Sequence, residues 1–472
     1  MNNINITDDS HSKGFIQPGF LALLYFLLCV AGIRFFDGTG DSGDSILHYL
    51  FAHYAPKHPE LYFDHWAKPV FVLLASPFAQ FGFSGIKLFN ALASTFTLWF
   101  TYKAAVALKM ENAGVVMLLF IFSPLQYILT LSGFTEPLFA FFVSLALLLT
   151  LRGRINAAAV VLSFLPYVRS EGLIVASTFA LYFAYKGHYR TPLLLLTGSV
   201  IYGLAGYVVH DTAFWVFSKI PYASTGSKYG SGELYHFVWS LVNVLGIPVY
   251  ALMGVGLIPA IRSVFKRETD FSERALVLLG FLFFFVAHSL FWFLGIFNSM
   301  GLNRVFIGVM PFMVLLALNG YNFVYQLPFK KSGPKRWLMR FLLVYIVVFP
   351  FTTNPSAIRW EKDLMLSPQQ KLAKQTAEYI FSQQKPGTKL FFSNHYLGML
   401  MNIDRFDNKQ HPDIHSNNLA GIKQGDMVIW DPWYSGFEAG VKRGVFDADT
   451  NYVTAYVASD NMENLFVVYK RK

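Results

Sequence analysis

Apolar runs of about 15 to 25 residues, separated by short polar turns, recur from the start of the chain to roughly residue 353. At 1.5 Å of helical rise per residue, each run can cross a hydrocarbon layer of about 30 Å with some tilt. The pattern predicts about eleven spanning helices, over 16–36, 84–106, 113–132, 134–151, 155–168, 172–186, 192–215, 237–261, 276–296, 304–326 and 337–353. The apolar segment from Val70 to Phe83 is too short to span and is predicted to lie in the membrane interface. No small-residue cleavage site follows the first run, so it reads as an uncleaved signal-anchor.

The pattern changes after Thr353. A helical period covers Pro368–Gln384, and strand-like segments cover Lys389–Ser393, Met427–Asp431, Tyr452–Val457 and Leu465–Tyr469. The expected organisation is a cytoplasmic tail at 1–15, a transmembrane domain at 16–353 with a first outer loop at 37–83, and a small α/β domain at 354–472.

Composition agrees with a membrane setting. The chain is 54% hydrophobic and only 14% charged, where soluble domains carry about a quarter charged residues, and its mean hydropathy is +0.42. Cys29, the single cysteine, stands inside an apolar run and excludes an internal disulfide.

A net charge of +10 would suit nucleic acid if it formed one surface. Instead the cations fall in alternate short loops: Lys103 and Lys109; Arg152 and Arg154; Lys186 and Arg190; Arg262, Lys266, Arg267 and Arg274; Lys330, Lys331, Lys335, Arg336 and Arg340. Positive loops mark the cytoplasmic side, so nucleic acid is excluded as a partner. The N-terminus is expected in the cytoplasm, and the C-terminus and its α/β domain outside. No retention signal is apparent, and the expected location is a bacterial inner membrane.

This topology sorts the chemistry. The first outer loop carries Asp37, Asp41, Asp44, His48, His53, Asp64, His65 and Lys68, and other outer turns add Glu136, Arg169, Glu171 and Arg304. Ionisable groups near membrane depth are costly and usually pair or face a cavity. Their gathering on one side predicts a site at the outer surface. Asp and His oxygen and nitrogen ligands could hold Mg²⁺ or Mn²⁺, but no established metal-ligand spacing is met, and no metal site is assigned. Neither a Walker loop nor GxGxxG is present, so a nucleotide donor is not expected.

Four features carry a family resemblance. GDSILHY, with Asp41 and Asp44 around its start, follows the first span. YFDHWAKP leads into the interfacial segment. The Thr135–Glu136–Pro137 turn opens the fourth span, and Arg304 heads a late span ahead of Pro311. In this order and sidedness the chain resembles the GT-C superfamily of membrane glycosyltransferases, which take sugars from polyprenyl-phosphate carriers. Within it the likeness is to the protein O-mannosyltransferase and aminoarabinose-transferase branch. Two departures stand out: Asp44-Ser45 replaces the usual Asp-Glu, and Lys68-Pro69-Val70 replaces the usual double proline.

The resemblance implies an α-helical, GT-C-like polytopic fold and an inverting transfer from a polyprenyl-phosphate sugar to an acceptor hydroxyl on a protein, lipid or glycan. It implies a carboxylate base, Asp44 or alternatively Asp41, and cations for the lipid phosphate, with Arg304 first and Lys68 and Arg169 beside it. Asp64 and His65 would orient acceptor or sugar, and Glu171 and Glu136 would bind sugar hydroxyls or pair with nearby cations. The competing readings are a transporter or flippase for a lipid-linked substrate, and a ligase or polymerase using a diphosphate-linked glycan. Transporters usually carry paired repeats and midplane charges, which the sequence lacks. His288, the residue closest to a midspan ion, reads as a packing histidine.

Overall fold

The computed structural model describes residues 17–223, 226–266, 271–328, 332–352, 358–407, 413–415, 419–460 and 464–472. The expected tail at 1–15, the basic residues Arg267, Lys330 and Lys331, and the expected domain boundary at 353/354 lie outside the described residues.

The first apolar run is α1 (Pro18–Phe35), opened by a proline whose missing N–H costs nothing at that position. It buries only Ala22, Tyr25, Cys29 and Gly32 and leaves the rest of its apolar surface outward. The first loop folds into α2 (Asp44–Tyr54) and α3 (Pro69–Ala79), which pack on each other before α4 (Phe83–Ala107). The interfacial segment is thus an eleven-residue helix.

Several expected spans are broken, for identifiable reasons. The run at 113–132 is two helices, α5 (Val115–Ile121) and α6 (Pro124–Thr130). Pro124 cannot donate to the preceding turn and holds Ser123 extended at ψ 116°. The next apolar helices are α7 (Glu136–Leu151), α8 (Ile155–Ser163) and α9 (Gly172–Tyr185). The run at 192–215 becomes a 3₁₀ turn, α10 (Thr197–Ala205) and α11 (Tyr207–His210), followed by α12 (Trp215–Ser218). In α13 (His236–Lys266), Gly246 at φ 73° interrupts the helix just before Pro248. Then come α14 (Phe271–Leu294), a 3₁₀ turn at Asn303–Val309, α15 (Met310–Gln326) and α16 (Ser332–Val348).

Among the described residues, four helical stretches are long and apolar enough to cross a membrane: Pro18–Phe35, His236–Ser263, Glu273–Leu294 and Asn303–Gln326. Shorter apolar helices surround them, including Glu136–Leu151 and Gly172–Tyr185. The last long stretch is almost wholly buried and forms the centre of the bundle. There α13 and α15 meet backbone to backbone, because a Cβ on Gly256 would lie 1.9 Å from the Leu316 carbonyl oxygen. Small residues permit this close approach where lipid supplies no hydrophobic drive between helices.

The remainder forms α17 (Trp360–Asp363), α18 (Pro368–Gln383), α19 (His395–Leu400), α20 (Gly444–Asp447) and a four-stranded sheet. Ser367 and Gln370 close a reciprocal capping box at the start of α18. The strands β1 (Leu390–Phe391), β2 (Met427–Trp430), β3 (Tyr452–Ser459) and β4 (Leu465–Arg471) fall at the segments the alternation predicts. Their order is β1-β2-β4-β3, with β1 parallel to β2 and the other pairs antiparallel.

One apolar core runs from the helical bundle into this unit. Trp360 stacks near Tyr127, with centroids 4.7 Å apart, and its indole donates to the Pro124 carbonyl at 2.9 Å. Gln370 Nε2 donates to Thr39 Oγ1 at 2.6 Å, and Lys57 Nζ lies 2.6 Å from Asp404 Oδ2. The C-terminal unit therefore sits on the first loop, over the residues that sequence reading places in the site.

Candidate active site

The loop before α2 turns through Gly40 at φ +87° and delivers two carboxylates. Asp41 Oδ1 accepts the backbone N–H groups of Gly43 at 3.0 Å and Ser45 at 2.9 Å, which fixes the loop at the helix start. Its Oδ2 lies 3.2 Å from Arg304 Nη1. Asp44, the first residue of α2, receives Arg304 Nη2. Ser45 turns inward: its hydroxyl is buried and accepts the Gly133 N–H at 2.7 Å. Position 45 is thus spent on docking the first loop to the turn before α7, which accounts for its departure from the Asp-Glu pattern.

Arg304 heads the central helix from its 3₁₀ turn, and its guanidinium lies 4.0 Å above the Phe134 ring. Its Nε lies 3.4 Å from Glu136 Oε1, and the same carboxylate lies 2.8 Å from Arg169 Nη1. Arg169 also pairs with Glu171 at 2.8 Å and donates to Thr135 Oγ1 at 3.1 Å. Glu136 is fully buried between the two arginines. The result is one line of alternating charge, Asp41 and Asp44, Arg304, Glu136, Arg169, Glu171, drawn from four separate segments of chain.

Lys68 stands at the far end. It caps α3 in a left-handed conformation, φ 70°, and its ammonium donates to Ser170 Oγ at 3.1 Å. Among the described residues it forms no ion pair. A lysine held in this strained region points to a constraint from the site.

The environment tunes these groups differently. Burial pushes both aspartates up; for Asp41 this prevails over Arg304, and its pKa rises to about 6. For Asp44 burial is again the largest single effect, but the Arg304 charge and hydrogen bond, with His48 and Arg169, together outweigh it and hold the pKa below its ordinary value. Burial lowers Lys68 to about 8. Glu171 falls to about 2, burial being overcome chiefly by Arg169. Burial also takes His48 down to about 3, so this ring, stacked on Trp66 at 5.1 Å, stays neutral.

Two cavities meet at Asp44 and Arg304. The larger, about 990 Å³, is floored by Asp41, Asp44 and Arg304 and roofed by the C-terminal unit. The smaller, about 450 Å³, runs past Lys68, Arg169 and Glu171 between apolar side chains such as Leu173, Phe237 and Phe291. Asp44, Trp66 and Arg304 border both. His288 packs on Phe284 at 4.4 Å, as expected, and also borders the smaller cavity, where its Nε2 lacks a partner.

Asp64 and His65 border neither cavity. Asp64 Oδ1 accepts the Ala67 N–H at 2.9 Å, and buried His65 bonds the Val216 carbonyl at 3.1 Å; both hold the loop together. Conversely, Trp433, Tyr434, Glu438, His395 and Arg405 line the larger cavity although sequence reading assigns them nothing. The run DPWYSGFE was the available signal, dense in aromatic and acidic residues within a polar domain.

The carboxylates do not suit a divalent metal. Arg304 bridges Asp41 and Asp44 where an ion would need their oxygens. Among the described residues, no group of three or more His, Cys, Asp or Glu is gathered for a metal ion.

Fold and site together define an integral membrane protein, helical and polytopic, with an arginine–carboxylate centre beneath a small α/β unit. The whole chain is similar to ArnT from Cupriavidus metallidurans. The crystal structure of that protein bound to undecaprenyl phosphate matches with a TM-score of 0.62 at 13% identity, covering 95% of this chain and 97% of that one. Its apo-state structure matches with a TM-score of 0.62 at 12% identity, over 96% and 97%. No family model and no curated protein matches the chain. The expected aminoarabinose-transferase-like fold is the fold found.

Proposed function

We propose that this protein is a glycosyltransferase that moves a sugar from a polyprenyl-phosphate donor to an acceptor hydroxyl at the extracytoplasmic membrane face. The observation that carries this reading is the meeting of two cavities, one between the helices and one under the C-terminal unit, at the Asp44–Arg304 pair. The smaller carries Lys68 and Arg169 between Leu173, Phe237 and Phe291, which suits a lipid phosphate; the larger is lined on its C-terminal side by Arg405, Trp433 and Glu438, which suits an acceptor. A similar fold binds undecaprenyl phosphate in ArnT.

In the proposed reaction the acceptor oxygen attacks the anomeric carbon from the larger cavity. Asp44, which borders both cavities, takes the hydroxyl proton as general base. The new C–O bond forms as the bond from anomeric carbon to phosphate oxygen breaks, and the electron pair leaves on the phosphate. Displacement from the opposite face inverts the anomeric centre. Lys68, with no carboxylate of its own, takes the phosphate charge together with Arg169, while Arg304 braces the reacting end with its planar fork. Asp41 orients Arg304 and the loop. The N-terminus lies in the cytoplasm of a bacterial inner-membrane topology, and the C-terminal unit lies outside.

The test is incubation of purified protein with a panel of polyprenyl-phosphate sugars, monitoring free polyprenyl phosphate and its dependence on added acceptor. Release from at least one donor is expected. No release from any donor by folded protein would overturn the reading.

A further inference from the structure

The roof of the larger cavity is built differently from its floor. After β2 the chain enters Pro432–Glu438, seven residues wound as a π-helical turn, with Gly436 N–H bonding Asp431 O at 3.0 Å and Ala439 N–H bonding Tyr434 O at 2.9 Å. Wide turns of this kind are uncommon and frequent at functional sites. Asp431, 1% exposed, holds the turn: its Oδ1 accepts the N–H groups of Trp433 at 3.1 Å and Tyr434 at 2.8 Å, and its Oδ2 accepts Ser435 Oγ at 3.2 Å.

The turn presents an aromatic plane with charged groups at its rim. Trp433 remains 41% exposed, lies nearly parallel to Tyr229 at 6.4 Å with 11° between the rings, and rests on Phe437 at 5.1 Å. Glu438 accepts Tyr229 Oη at 2.7 Å and pairs with Lys228. Tyr434 reaches over the carboxylate loop, where a Cβ on Gly43 would lie 2.9 Å from its hydroxyl. Arg405 completes the wall, bonded to His395 and 2.8 Å from Asp413.

Exposed, pre-stacked rings beside planar carboxylate and guanidinium groups match a pyranose, which has an apolar C–H face and a hydroxyl rim. One common way to read a polypeptide is to add it as a strand to a sheet edge. None of the four strands borders this cavity among the described residues. From these observations we infer that the turn Pro432–Glu438 is an acceptor subsite for a glycan, with a sugar ring stacked on Trp433 and its hydroxyl directed at Asp44. This rests on the proposed transferase reading and names its acceptor class.

The experiment uses full-length protein in lipid nanodiscs. Chitotetraose, cellotetraose and a serine- and threonine-rich decapeptide are titrated by saturation-transfer NMR, and undecaprenyl phosphate is titrated separately. The wild type should bind at least one oligosaccharide through its C–H face and should not bind the peptide. Trp433→Ala, on an exposed side chain, should weaken oligosaccharide binding roughly tenfold and leave undecaprenyl phosphate binding unchanged. Lys68→Met, at a residue that borders the smaller cavity alone, should do the reverse. Equal oligosaccharide binding by Trp433→Ala, binding of the peptide in preference, or no oligosaccharide binding by wild type that holds undecaprenyl phosphate would each overturn the glycan assignment. Oligosaccharide binding that depends on Trp433, without any undecaprenyl phosphate binding, would leave the glycan site standing and overturn the lipid-donor reading.

Discussion

Arg304 and Asp44, 260 residues apart in sequence, are joined as an ion pair on the border that the two cavities share. The arginine is the branch point of the charge network, since it also touches Asp41 and Glu136. Removing it leaves Asp41, Asp44 and Glu136 without the cation they share. Arg304→Ala is expected to lower transfer by at least about a hundredfold and to destabilise the fold by roughly 1–3 kcal/mol, since the network is buried at Glu136 while Asp41 and Asp44 remain 37% and 43% exposed. Arg304→Lys keeps the charge but not the fork, and should recover stability more than rate. Transfer rates read beside thermal melting check both.

Asp44→Asn is the direct test of the base. General-base catalysis contributes about 10²–10⁴ in rate, so turnover should fall by that factor while the affinity for lipid phosphate is retained. Wild-type turnover in folded Asp44→Asn would remove Asp44 from the role.

The pH profile separates the two aspartates. Asp41, raised to about 6, is ionised above that pH and protonated below it. Asp44 is depressed and stays ionised well below neutrality. The rate should therefore fall as pH drops through about 6, because protonating Asp41 removes one of the three carboxylates that hold Arg304. In Asp41→Asn this acidic limb should vanish, leaving a lower, flat rate between pH 5 and 7 measured over about two units. Complete loss in Asp41→Asn, with activity retained in Asp44→Asn, would exchange the two roles.

Lys68→Met tests the phosphate cavity. The substitution keeps much of the length of the apolar stem and removes the cation of this cavity that, among the described residues, forms no ion pair. The donor KM should rise about tenfold or more, with a smaller change in kcat, if Lys68 contributes a charge-assisted bond to the bound phosphate.

Gly133→Ala tests the docking of the first loop. A Cβ there would lie 2.2 Å from the Ser45 carbonyl oxygen, and backbone rather than a flexible side chain is in the way. A loss of about 1–3 kcal/mol is expected, as for overpacking elsewhere. The melting temperature should fall, and activity should fall with it because Asp44 precedes Ser45.

The parts legible in the sequence were those with a directional signal. Long apolar runs announced helices, and Asp41, Asp44, Glu136, Arg169, Glu171 and Arg304 stood at their heads, where ionisable residues border a cavity or pair. Asp64 and His65 look equally chemical, but an irregular loop has no period to say which way a side chain points; His65 is buried and Asp64 is tied to the Ala67 backbone. Helix breaks at Pro124 and Gly246 were invisible to a count of apolar residues, which does not register a missing N–H or a positive φ. The roof residues Trp433 and Tyr434 were missed because their role depends on how the C-terminal unit packs against the first loop, a contact that hydropathy does not encode.

The most direct test of the account compares wild type and Asp44→Asn on the same polyprenyl-phosphate sugar and glycan acceptor, following free polyprenyl phosphate and the anomeric configuration of the product. The account predicts release with inversion by wild type, and release slowed by about 10²–10⁴ in Asp44→Asn that still binds the lipid. Retention of configuration, or equal release from both proteins, would contradict it.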